Sequence, residues 1–577
     1  MSFDKQAAER YDVAILGGGL AGLTLGLQIR QARPQTSVFI AEKRPGPAPE
    51  AAFKVGESTQ NLACNYFGKV LGLEDHLLNA QVEKCGLRFW FPAGDNSKLA
   101  DRIELGPTGY SPVPSWQFDR GRFENFLGDQ NHEIGNDLFQ GSFITNVEVG
   151  DPHRVTIVRG GPGGEESTIE ARWLVDATGR SFMLKKKLGL VQGNDHNVNS
   201  AWFRLAGGLD LEDWVDPGDD EFFGRMKERG LRRYSTNHLC GKGYWVWMIQ
   251  LASGPISIGI VADPRFHPMS EMDTLEKSLG WIRKHEPQLG EPLDARRDQV
   301  EDFLKVEDFS YGCKQCFDGD ARWALVGEAG AFLDPFYSPG SDFIAMGNTL
   351  TTDLIARSLE GENVTQRAKA HDDFYLGAYR CGLTQYEDQY VFWGNPLVMA
   401  VKICLNNFYY WGALGLLFFN RKLTDLELMA AVRPDIDRMW SIVHALEGLF
   451  REWNELENRE WVRGMAGPQR FPGLFDRHHD LLSRFDDDQL KKRVAANADL
   501  MEACAVIVFH RAARNLGDAA PSENQKINPY VISLDPDRWS ADGLFDGSGL
   551  SLAQARQTDA AGVEQMFVDE ITAGARN

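Results

Sequence analysis

The sequence has few cysteines, no repeated metal-ligand motif and no excess of basic charge. Its eight cysteines are scattered over 577 residues, so a disulfide framework of the kind that stabilises small secreted chains is not expected. Cys313 and Cys316 form a single CxxC motif. A structural zinc site of the double-CxxC type needs a second pair, and none follows, so we predict no metal site. Whether the motif is a redox pair or a loop with two cysteines by chance stays open.

The charge balance and the lack of a long apolar run exclude several classes of partner. The formal net charge is −21, which disfavours nucleic acid and anionic membrane surfaces, because both bind basic faces. The most apolar stretch, residues 403–419, contains Asn406 and Asn407 and is short for a spanning helix. We expect a buried helix or an aromatic pocket wall there, with no stable membrane insertion. The polar start of the chain lacks the apolar run of a secretory signal, which predicts a cytoplasmic protein.

The first clear motif is a dinucleotide-binding pattern. An apolar strand at residues 12–16 leads into Gly17-Gly18-Gly19-Leu20-Ala21-Gly22, and a helical pattern follows. In this context Gly17 makes the tight turn, Gly19 lets a pyrophosphate approach, and Gly22 lets the helix pack on the strand. The pyrophosphate would lie at the helix N-terminus, where Leu20 and Ala21 carry free N–H groups.

A second strand pattern, residues 37–41, ends at Glu42 and Lys43. An acid at this position holds a ribose hydroxyl, and it repels the 2′-phosphate of NADP. We therefore predict that Gly17–Gly22, Glu42 and the adjoining Lys43 bind the nucleotide half of a dinucleotide.

Two later segments resemble the second and third fingerprints of the FAD fold found in aromatic hydroxylases. They are Trp-Leu-Val-Asp176-Ala-Thr-Gly179 and Trp-Ala-Leu-Val-Gly-Glu328-Ala-Gly. By this resemblance, Glu328 takes the place of the usual aspartate that binds the ribityl chain. Arg120 stands in a segment similar to the family's arginine-bearing helix start, which implies a place near the flavin; a plain salt-bridge partner is the alternative.

The sequence contains no second GxGxxG motif. Residues 160–164, Gly-Gly-Pro-Gly-Gly, lie between strand patterns and predict a hairpin loop. With no dedicated NAD(P)H domain, reduced flavin is expected from a separate reductase.

Three further motifs make the chain resemble the flavin-dependent halogenases, over about residues 10–380. The first is Phe53-Lys-Val-Gly-Glu-Ser58-Thr, which is similar to the family's flavin-lining VGES turn. Lys84 follows in a Lys-x-Gly-x-x-Phe context that matches the essential lysine of phenol and pyrrole halogenases. In that family a flavin hydroperoxide oxidises halide to hypohalous acid, and the lysine hydrogen-bonds that acid or forms a haloamine. Lys54 is a competing candidate for this role.

The second motif is Trp245-Val-Trp247-Met-Ile-Gln250, which resembles the family's WxWxIP. Trp245 and Trp247 are two apart on a strand pattern and share a face. The resemblance implies a wall that separates flavin from substrate, and ordinary aromatic packing is the alternative. Gln250 stands where relatives have proline.

The third motif, Phe332 to Gly340, fits FxxPxxSxG and opens a helical pattern. The resemblance implies that Ser338 lies in the catalytic centre and that the N–H groups of Gly340 and Ser341 bind halide at a helix N-terminus. Pro339 lacks the N–H that many relatives supply there. Tyr337 replaces the glutamate of indole-directed halogenases, which favours a phenol or a pyrrole over tryptophan.

The fold class implied is α/β: a Rossmann-type FAD-binding domain interleaved with a mixed-sheet substrate domain, followed by a helical C-terminal region. The expected boundaries are 1–380 for the flavin module, with FAD segments at about 10–60, 145–195 and 310–365 and a substrate-side sheet at about 196–310. Residues 381–577 would then cap the substrate pocket.

The implied activity is FADH2-dependent halogenation with O2 and chloride or bromide. The aromatic small-molecule substrate is free or tethered to a carrier protein, and the enzyme is a monomer or a homodimer. Hydroxylation by a flavin monooxygenase of the same fold, and non-catalytic ligand binding, remain the alternatives.

Overall fold

The computed structural model describes residues 8–51, 54–161, 163–457, 463–466 and 471–566. Phe53, the first residue of the VGES-type motif, and Pro162 of the predicted hairpin loop lie outside these ranges. The chain divides into two units: the first is Met1–Gln81, Phe118–Asp195 and Ser310–Arg380, and the second is Val82–Gln117, His196–Phe309 and Cys381–Asn577.

The described residues form twenty β-strands. They are β1 (Glu9–Leu16), β2 (Val38–Glu42), β3 (Val82–Glu83), β4 (Leu87–Phe91), β5 (Ile103–Leu105), β6 (Trp116–Gln117), β7 (Asp137–Gln140), β8 (Ser142–Glu148), β9 (His153–Arg159), β10 (Glu165–Asp176), β11 (Val191–Gly193), β12 (Asn199–Leu205), β13 (Thr236–Gly241), β14 (Tyr244–Gln250), β15 (Ile256–Ala262), β16 (Leu304–Val306), β17 (Tyr311–Cys313), β18 (Phe317–Asp318), β19 (Trp323–Leu325) and β20 (Gly464–Ala466).

The helices follow the same order. They are α1 (Leu20–Ala32), α2 (Asn61–Asn65), α3 (Glu74–Ala80), α4 (Arg120–Glu133), α5 (Met183–Lys187), α6 (Asp220–Gly224), α7 (Leu275–His285), α8 (Pro287–Ala295), α9 (Gly340–Leu359), α10 (Thr365–Thr384), α11 (Pro396–Tyr409), α12 (Leu416–Phe419), α13 (Leu426–Leu456), α14 (Pro472–Asp480), α15 (Asp487–Ala513), α16 (Pro536–Asp542) and α17 (Leu552–Ala555).

The first unit is built on a sheet whose main order is β18-β19-β10-β1-β2-β7. Strand β1 lies between β10 and β2, and both pairings are parallel. Residues 13–16 are fully buried, because a central parallel strand is covered on both faces. Strands β9 and β10 form an antiparallel hairpin, with Arg159 opposite Glu165. The ends of β1 and β10 therefore reach the same edge of the sheet, where the glycine-rich turn begins.

The second unit contains a mixed sheet in the order β16-β12-β15-β14-β13-β4-β5-β20. Its central strands β14 and β15 are buried along their whole length. The C-terminal part of this unit is dominated by α11, α13 and α15. The predicted α/β class, with a Rossmann-type sheet, a mixed sheet and a helical C-terminal region, is confirmed.

The apolar stretch at residues 403–419 forms the end of α11, a π-helical turn (Tyr410–Gly415) and α12. Most of its side chains are buried. Among the described residues, we find no helix that combines the length and the apolar character needed to cross a bilayer.

Candidate functional site

The glycine-rich turn owes its shape to two close backbone approaches. Gly17 has φ +109°, and a Cβ there would lie 2.4 Å from the Ala177 carbonyl oxygen. A Cβ on Gly22 would lie 2.0 Å from the Gly17 carbonyl oxygen. Gly19 differs, because the nearest atom to its added Cβ is Lys54 Nζ, at 3.9 Å. Gly17 and Gly22 are thus required by the protein's own packing, whereas Gly19 leaves space of the kind that a phosphate needs.

Helix α1 begins at Leu20, with Gly19 as its N-cap and no side chain capping it. The Leu23 N–H donates to the Gly19 carbonyl at 2.9 Å, as the first bond of the helix. The N–H groups of Leu20, Ala21 and Gly22 have no intrahelical acceptor, as in any helix start. Together with the helix dipole they can bind an anion.

Glu42 lies at the end of β2 beside this turn. Its carboxylate accepts hydrogen bonds from the backbone N–H groups of Gly18, at 2.9 Å, and Arg44, at 2.8 Å. Gly18 is needed here, because an added Cβ would lie 2.7 Å from Glu42 Cβ. The carboxylate keeps spare acceptor capacity for a ribose hydroxyl. Lys43 is exposed.

The second fingerprint ends β10 in a turn held by Asp176. Its carboxylate is buried and accepts hydrogen bonds from the Thr178 N–H, at 2.9 Å, and the Leu184 N–H, at 2.7 Å. Burial raises the pKa of Asp176, and these hydrogen bonds oppose that shift. Gly179 follows with φ +58°. Asp176 therefore shapes the turn that contacts Gly17.

The third fingerprint packs against the start of α1. A Cβ on Gly327, whose φ is +59°, would lie 3.0 Å from Ala21 Cβ. Next to it, the half-exposed carboxylate of Glu328 lies 3.5 Å from Arg180 Nε. The Glu328 carbonyl accepts a hydrogen bond from Tyr311 Oη at 3.1 Å. The first and third fingerprints are thus brought together within one unit.

The VGES-type turn, which contains Ser58, also contacts the turn Ser338-Pro339-Gly340. Ser338 Oγ donates to Ser58 Oγ at 2.9 Å, and Ser338 has φ +58°. Helix α9 begins at Gly340, with Pro339 as its N-cap. The buried Asp342 carboxylate in its first turn accepts a hydrogen bond from the Ala63 N–H at 2.8 Å. The turns that contain Ser58 and Ser338, which are far apart in sequence, are therefore in direct contact.

A cluster of charges near the glycine-rich turn was not predicted from the sequence. The carboxylate of Glu124, fully buried in α4, forms ion pairs with Arg120 at 2.8 Å, with Lys54, and with Arg44 at 3.7 Å. Burial alone would raise the pKa of Glu124, but Arg120 and Lys54 outweigh it and lower that pKa. Burial lowers the pKa of Lys54, and Glu124 opposes the shift. Three cations around one carboxylate leave a local excess of positive charge.

The sequence signal for this Glu124 cluster was weak. Arg120 and Glu124 are spaced for an i,i+4 pair on a helix, but Arg44 and Lys54 come from other parts of the chain. Arg120 also donates to the Val55 carbonyl at 2.7 Å, so it fixes the VGES-type turn. It is therefore more than a surface salt-bridge partner.

These features fit FAD. The space at Gly19, the free helix start and the positive Glu124 cluster suit a pyrophosphate, and Glu42 suits a ribose. Among the residues that the structure describes, no three His, Cys, Asp or Glu side chains lie close enough together to hold a metal ion.

Lys84 lies in the second unit, directly after β3, and is 2 % exposed. Its backbone N–H donates to the Ser115 carbonyl at 2.7 Å, and the Cys85 N–H donates to the Tyr234 carbonyl at 3.0 Å. The Cys85 carbonyl accepts from Ser235 Oγ at 2.7 Å. The backbone around Lys84 is thus held from both sides.

The second unit also contains a fully buried ion network. Glu104 pairs with Arg88, and it accepts from Arg232 through both carboxylate oxygens, at 2.9 Å and 3.0 Å. Arg88 Nε donates to Ser235 Oγ at 3.2 Å. Burial would raise the pKa of Glu104, but Arg88 and Arg232 outweigh it and lower that pKa. The network is thereby linked to the Lys84 segment through Ser235.

Trp245 and Trp247 lie on β14 in the same unit, with ring centroids 5.8 Å apart. Trp245 Nε1 donates to Tyr390 Oη at 3.1 Å and Trp247 Nε1 donates to Ser257 Oγ at 3.0 Å. Gln250, in the place of the family's proline, donates to the Gly254 carbonyl at 2.9 Å and thereby closes the turn after β14.

The comparisons with known proteins agree with this geometry. Residues 10–255 match the family described as FAD binding domain. The chain is 25 % identical over 438 residues to the flavin-dependent halogenase chlA of Dictyostelium discoideum, with 71 % of each chain covered. It is 24 % identical over 450 residues to a 1H-pyrrole-2-carbonyl-(peptidyl-carrier protein) chlorinase of Pseudomonas fluorescens, which covers 74 % of this chain and 95 % of that protein.

Solved structures show the same fold. Halogenase PltM in complex with phloroglucinol and FAD matches with a TM-score of 0.60 at 16 % identity, over 84 % of this chain and 96 % of that chain. The flavin-dependent brominase Bmp2 matches with a TM-score of 0.51 at 22 % identity, over 68 % and 91 %. The chain is therefore an FAD-dependent oxidoreductase related to the flavin-dependent halogenases.

Proposed function

We propose that this protein halogenates an electron-rich aromatic small molecule, a phenol or a pyrrole, through hypohalous acid that Lys84 activates. The observation that carries the proposal is the buried Lys84, held by backbone hydrogen bonds on both sides in a chain related to halogenases. The match of Lys84 to the Lys-x-Gly-x-x-Phe context of the halogenases supports a catalytic role at this buried position.

The cofactor would be held by Gly19, the N–H groups of Leu20 to Gly22, Glu42 and the Glu124 cluster, with Glu328 toward the ribityl chain. Bound in its reduced form, FAD supplies with O2 the oxidising power that converts chloride or bromide to hypohalous acid. The N–H groups of Gly340 and Ser341 are the proposed halide donors. Pro339 contributes none, so this site would work with fewer donors than a serine or threonine variant has.

Lys84 would act on hypohalous acid. Its ammonium donates a hydrogen bond to the oxygen of the acid and draws electron density away from the halogen. The electron-rich ring then attacks the halogen, the halogen–oxygen bond breaks, and the departing hydroxide leaves as water with the proton that the ring loses. Rigid support matters here, because a misplaced group loses much of its effect. The hydrogen bonds at Ser115, Tyr234 and Ser235 supply that support.

Trp245 and Trp247 are proposed to form a wall between flavin and substrate. Both indoles have fixed hydrogen-bond acceptors, at Tyr390 and Ser257, so their rings have little freedom to turn. A fixed wall would prevent direct oxygen transfer to the substrate and leave hypohalous acid as the diffusing reagent.

Two related proteins support the substrate class. Halogenase PltM is known in complex with phloroglucinol, a phenol, and the Pseudomonas relative acts on a carrier-bound pyrrole. We accordingly propose a phenol or a pyrrole, free or carrier-bound, with reduced flavin delivered by a separate reductase to a monomer or homodimer.

Hydroxylation is the second candidate, and Pro339 favours it because it removes one donor from the halide site. The test is an assay of the protein with FAD, NADH, a flavin reductase, a panel of phenols and pyrroles, and bromide or chloride. Mass spectrometry should find a halogen isotope pattern that Lys84→Met abolishes while FAD binding is retained. Lys98→Met, at an exposed lysine of the same unit, is the matched control and should leave turnover intact. A gain of one oxygen without halide would establish hydroxylation instead.

A further inference from the structure

The CxxC motif has a defined place in the first unit. Cys313 ends β17 and Cys316 precedes β18, and the two residues are 4 % and 0 % exposed. The Cys313 thiol donates to the Gln315 carbonyl at 3.0 Å, within the loop that joins the two cysteines. The other cysteines of the chain are also buried and free, but only these two are separated by two residues.

A cation and a carboxylate lie beside the pair. The ammonium of the buried Lys185 donates to the Gly312 carbonyl at 3.3 Å, one residue before Cys313. The Asp372 carboxylate accepts the Cys316 N–H at 2.6 Å and the Phe317 N–H at 3.2 Å. Thiol pairs with this spacing are redox-active where a cation and hydrogen bonds favour the thiolate of the first cysteine.

The two thiols differ in acidity. An interaction with the Cys316 thiol lowers the pKa of Cys313; burial and Asp372 oppose this effect, and the Gln315 carbonyl and the charge of Lys185 support it. The pKa of Cys316 is raised by the same interaction and by burial. Burial also raises the pKa of Asp372 to about 6, so its charge changes near neutral pH. Because Lys185 contacts the carbonyl of Gly312, next to Cys313, we assign Cys313 as the nucleophile of the proposed pair and Cys316 as the resolving thiol.

The pair also contacts the FAD-binding turn. Cys316 Sγ is 3.4 Å from the position of a Cβ on Gly330, and the Leu325 N–H donates to the Cys316 carbonyl at 2.8 Å. Lys185 Nζ donates to the Gly330 carbonyl at 2.6 Å. Because Gly330 follows Glu328 by two residues, these contacts connect the CxxC loop to the turn expected to hold the flavin.

We propose that Cys313 and Cys316 form a redox-active dithiol that hydrogen peroxide converts to an intramolecular disulfide, and that this oxidation weakens FAD binding at the Gly327–Gly330 turn. Hydrogen peroxide is the two-electron product of reduced flavin and O2 when oxygen is not passed to halide or substrate. The inference goes beyond halogenation and needs only an FAD-dependent oxidoreductase.

The chemistry balances as two displacements. The Cys313 thiolate attacks one peroxide oxygen, the O–O bond breaks, and the departing hydroxide takes up the proton that Cys313 released, which gives a sulfenic acid and water. Cys316 then attacks Cys313 Sγ, the S–O bond breaks, and the hydroxide leaves as water with the Cys316 proton. Two thiols and one hydrogen peroxide give one disulfide and two waters. Both sulfurs are buried, so a small oxidant that enters by local opening is suited to reach them.

The chain offers a direct readout, because Lys314 lies between the two cysteines. Trypsin therefore separates Cys313 from Cys316 unless a disulfide joins them. The FAD-loaded protein is treated with graded hydrogen peroxide, quenched with N-ethylmaleimide under denaturing conditions, digested and analysed by mass spectrometry. We expect a linked peptide pair that has lost two hydrogen atoms, that forms before other cysteines oxidise, and that dithiothreitol reverses.

The second readout is FAD affinity, measured from flavin fluorescence. Oxidation should weaken binding about tenfold, dithiothreitol should restore it, and Cys313→Ser should be insensitive. Cys404→Ser, at a buried cysteine of the second unit, is the control and should respond like the unmodified protein. If N-ethylmaleimide alkylates Cys313 and Cys316 after peroxide treatment to the same extent as Cys404, the proposal that they form a redox-active dithiol is wrong. A disulfide that leaves FAD affinity unchanged would overturn the coupling. The peptide map uses the unmodified protein, so the test does not depend on the folding of the variants.

Discussion

The glycine-rich turn of the first unit and the Lys84 segment of the second are both tightly held, but by different means. The turn is fixed by backbone approaches, such as the 2.0 Å between a Cβ on Gly22 and the Gly17 carbonyl oxygen. The Lys84 segment is supported by buried charges, with Glu104 between Arg88 and Arg232. In the turn, each glycine is required by the backbone atoms next to it. In the ion network, residues from distant parts of the sequence are brought together by the fold.

The largest effect on stability is expected from a substitution of Glu104, which removes the central charge of the ion network. In Glu104→Gln, the buried guanidinium group of Arg88 loses its ion pair, and that of Arg232 keeps only its ion pair with Glu212, at 3.1 Å. Breaking a buried ion pair in this way costs about 3–5 kcal/mol. Urea unfolding, followed by tryptophan fluorescence, should detect this loss of stability. An unchanged unfolding midpoint would mean that the network contributes nothing to the second unit.

The same variant has a pH signature. The pKa of Glu104 is lowered from its ordinary value of 4.5, so its ion pairs stabilise the fold fully above that pH. The stabilisation is lost as the pH falls through the lowered pKa. Unmodified protein should therefore lose stability below about pH 4.5, and Glu104→Gln should show a smaller loss over the same range.

These two regions also differ in how far the sequence predicted them. The turn was predicted in detail, because Gly17, Gly19 and Gly22 have the GxGxxG spacing between a strand pattern and a helix pattern, which is typical of a dinucleotide-binding turn. The ion network was not, since Arg88, Glu104 and Arg232 approach only when β4, β5 and the loop before β13 are assembled. The same reason explains why the Glu124 cluster was missed.

Helix boundaries illustrate a further limit. Pro434 is a residue that usually interrupts a helix, but α13 is one helix that continues through it. Proline in a helix interior removes one hydrogen bond, and burial of Val432 and Ile436 on either side offsets that loss. Tertiary packing thus outweighs a local signal that a single sequence presents as a break.

Gly19→Ala tests whether Gly19, unlike Gly17 and Gly22, is needed for FAD binding and not for the packing of the turn. An added methyl group would contact only Lys54 Nζ, at 3.9 Å, so thermal stability without FAD should not change. It would nevertheless occupy the space proposed for the pyrophosphate, and FAD affinity should fall about a hundredfold, or about 2.7 kcal/mol. Flavin fluorescence titration measures the affinity, and Gly46→Ala, whose methyl group would meet no atom within 4 Å, is the control. Full FAD affinity in Gly19→Ala would move the pyrophosphate away from this turn.

The smallest of these effects is expected at Lys54. Lys54→Met keeps the length of the side chain and removes one of the three cations around Glu124, so the attraction for a pyrophosphate weakens. We expect FAD affinity to fall about tenfold, or about 1.4 kcal/mol, and riboflavin affinity to stay unchanged because riboflavin has no phosphate. Lys187→Met, at an exposed lysine of the same unit, should alter neither affinity. An equal loss for FAD and riboflavin would instead assign Lys54 to the isoalloxazine end of the cofactor, where the competing interpretation of its motif as a catalytic lysine would apply.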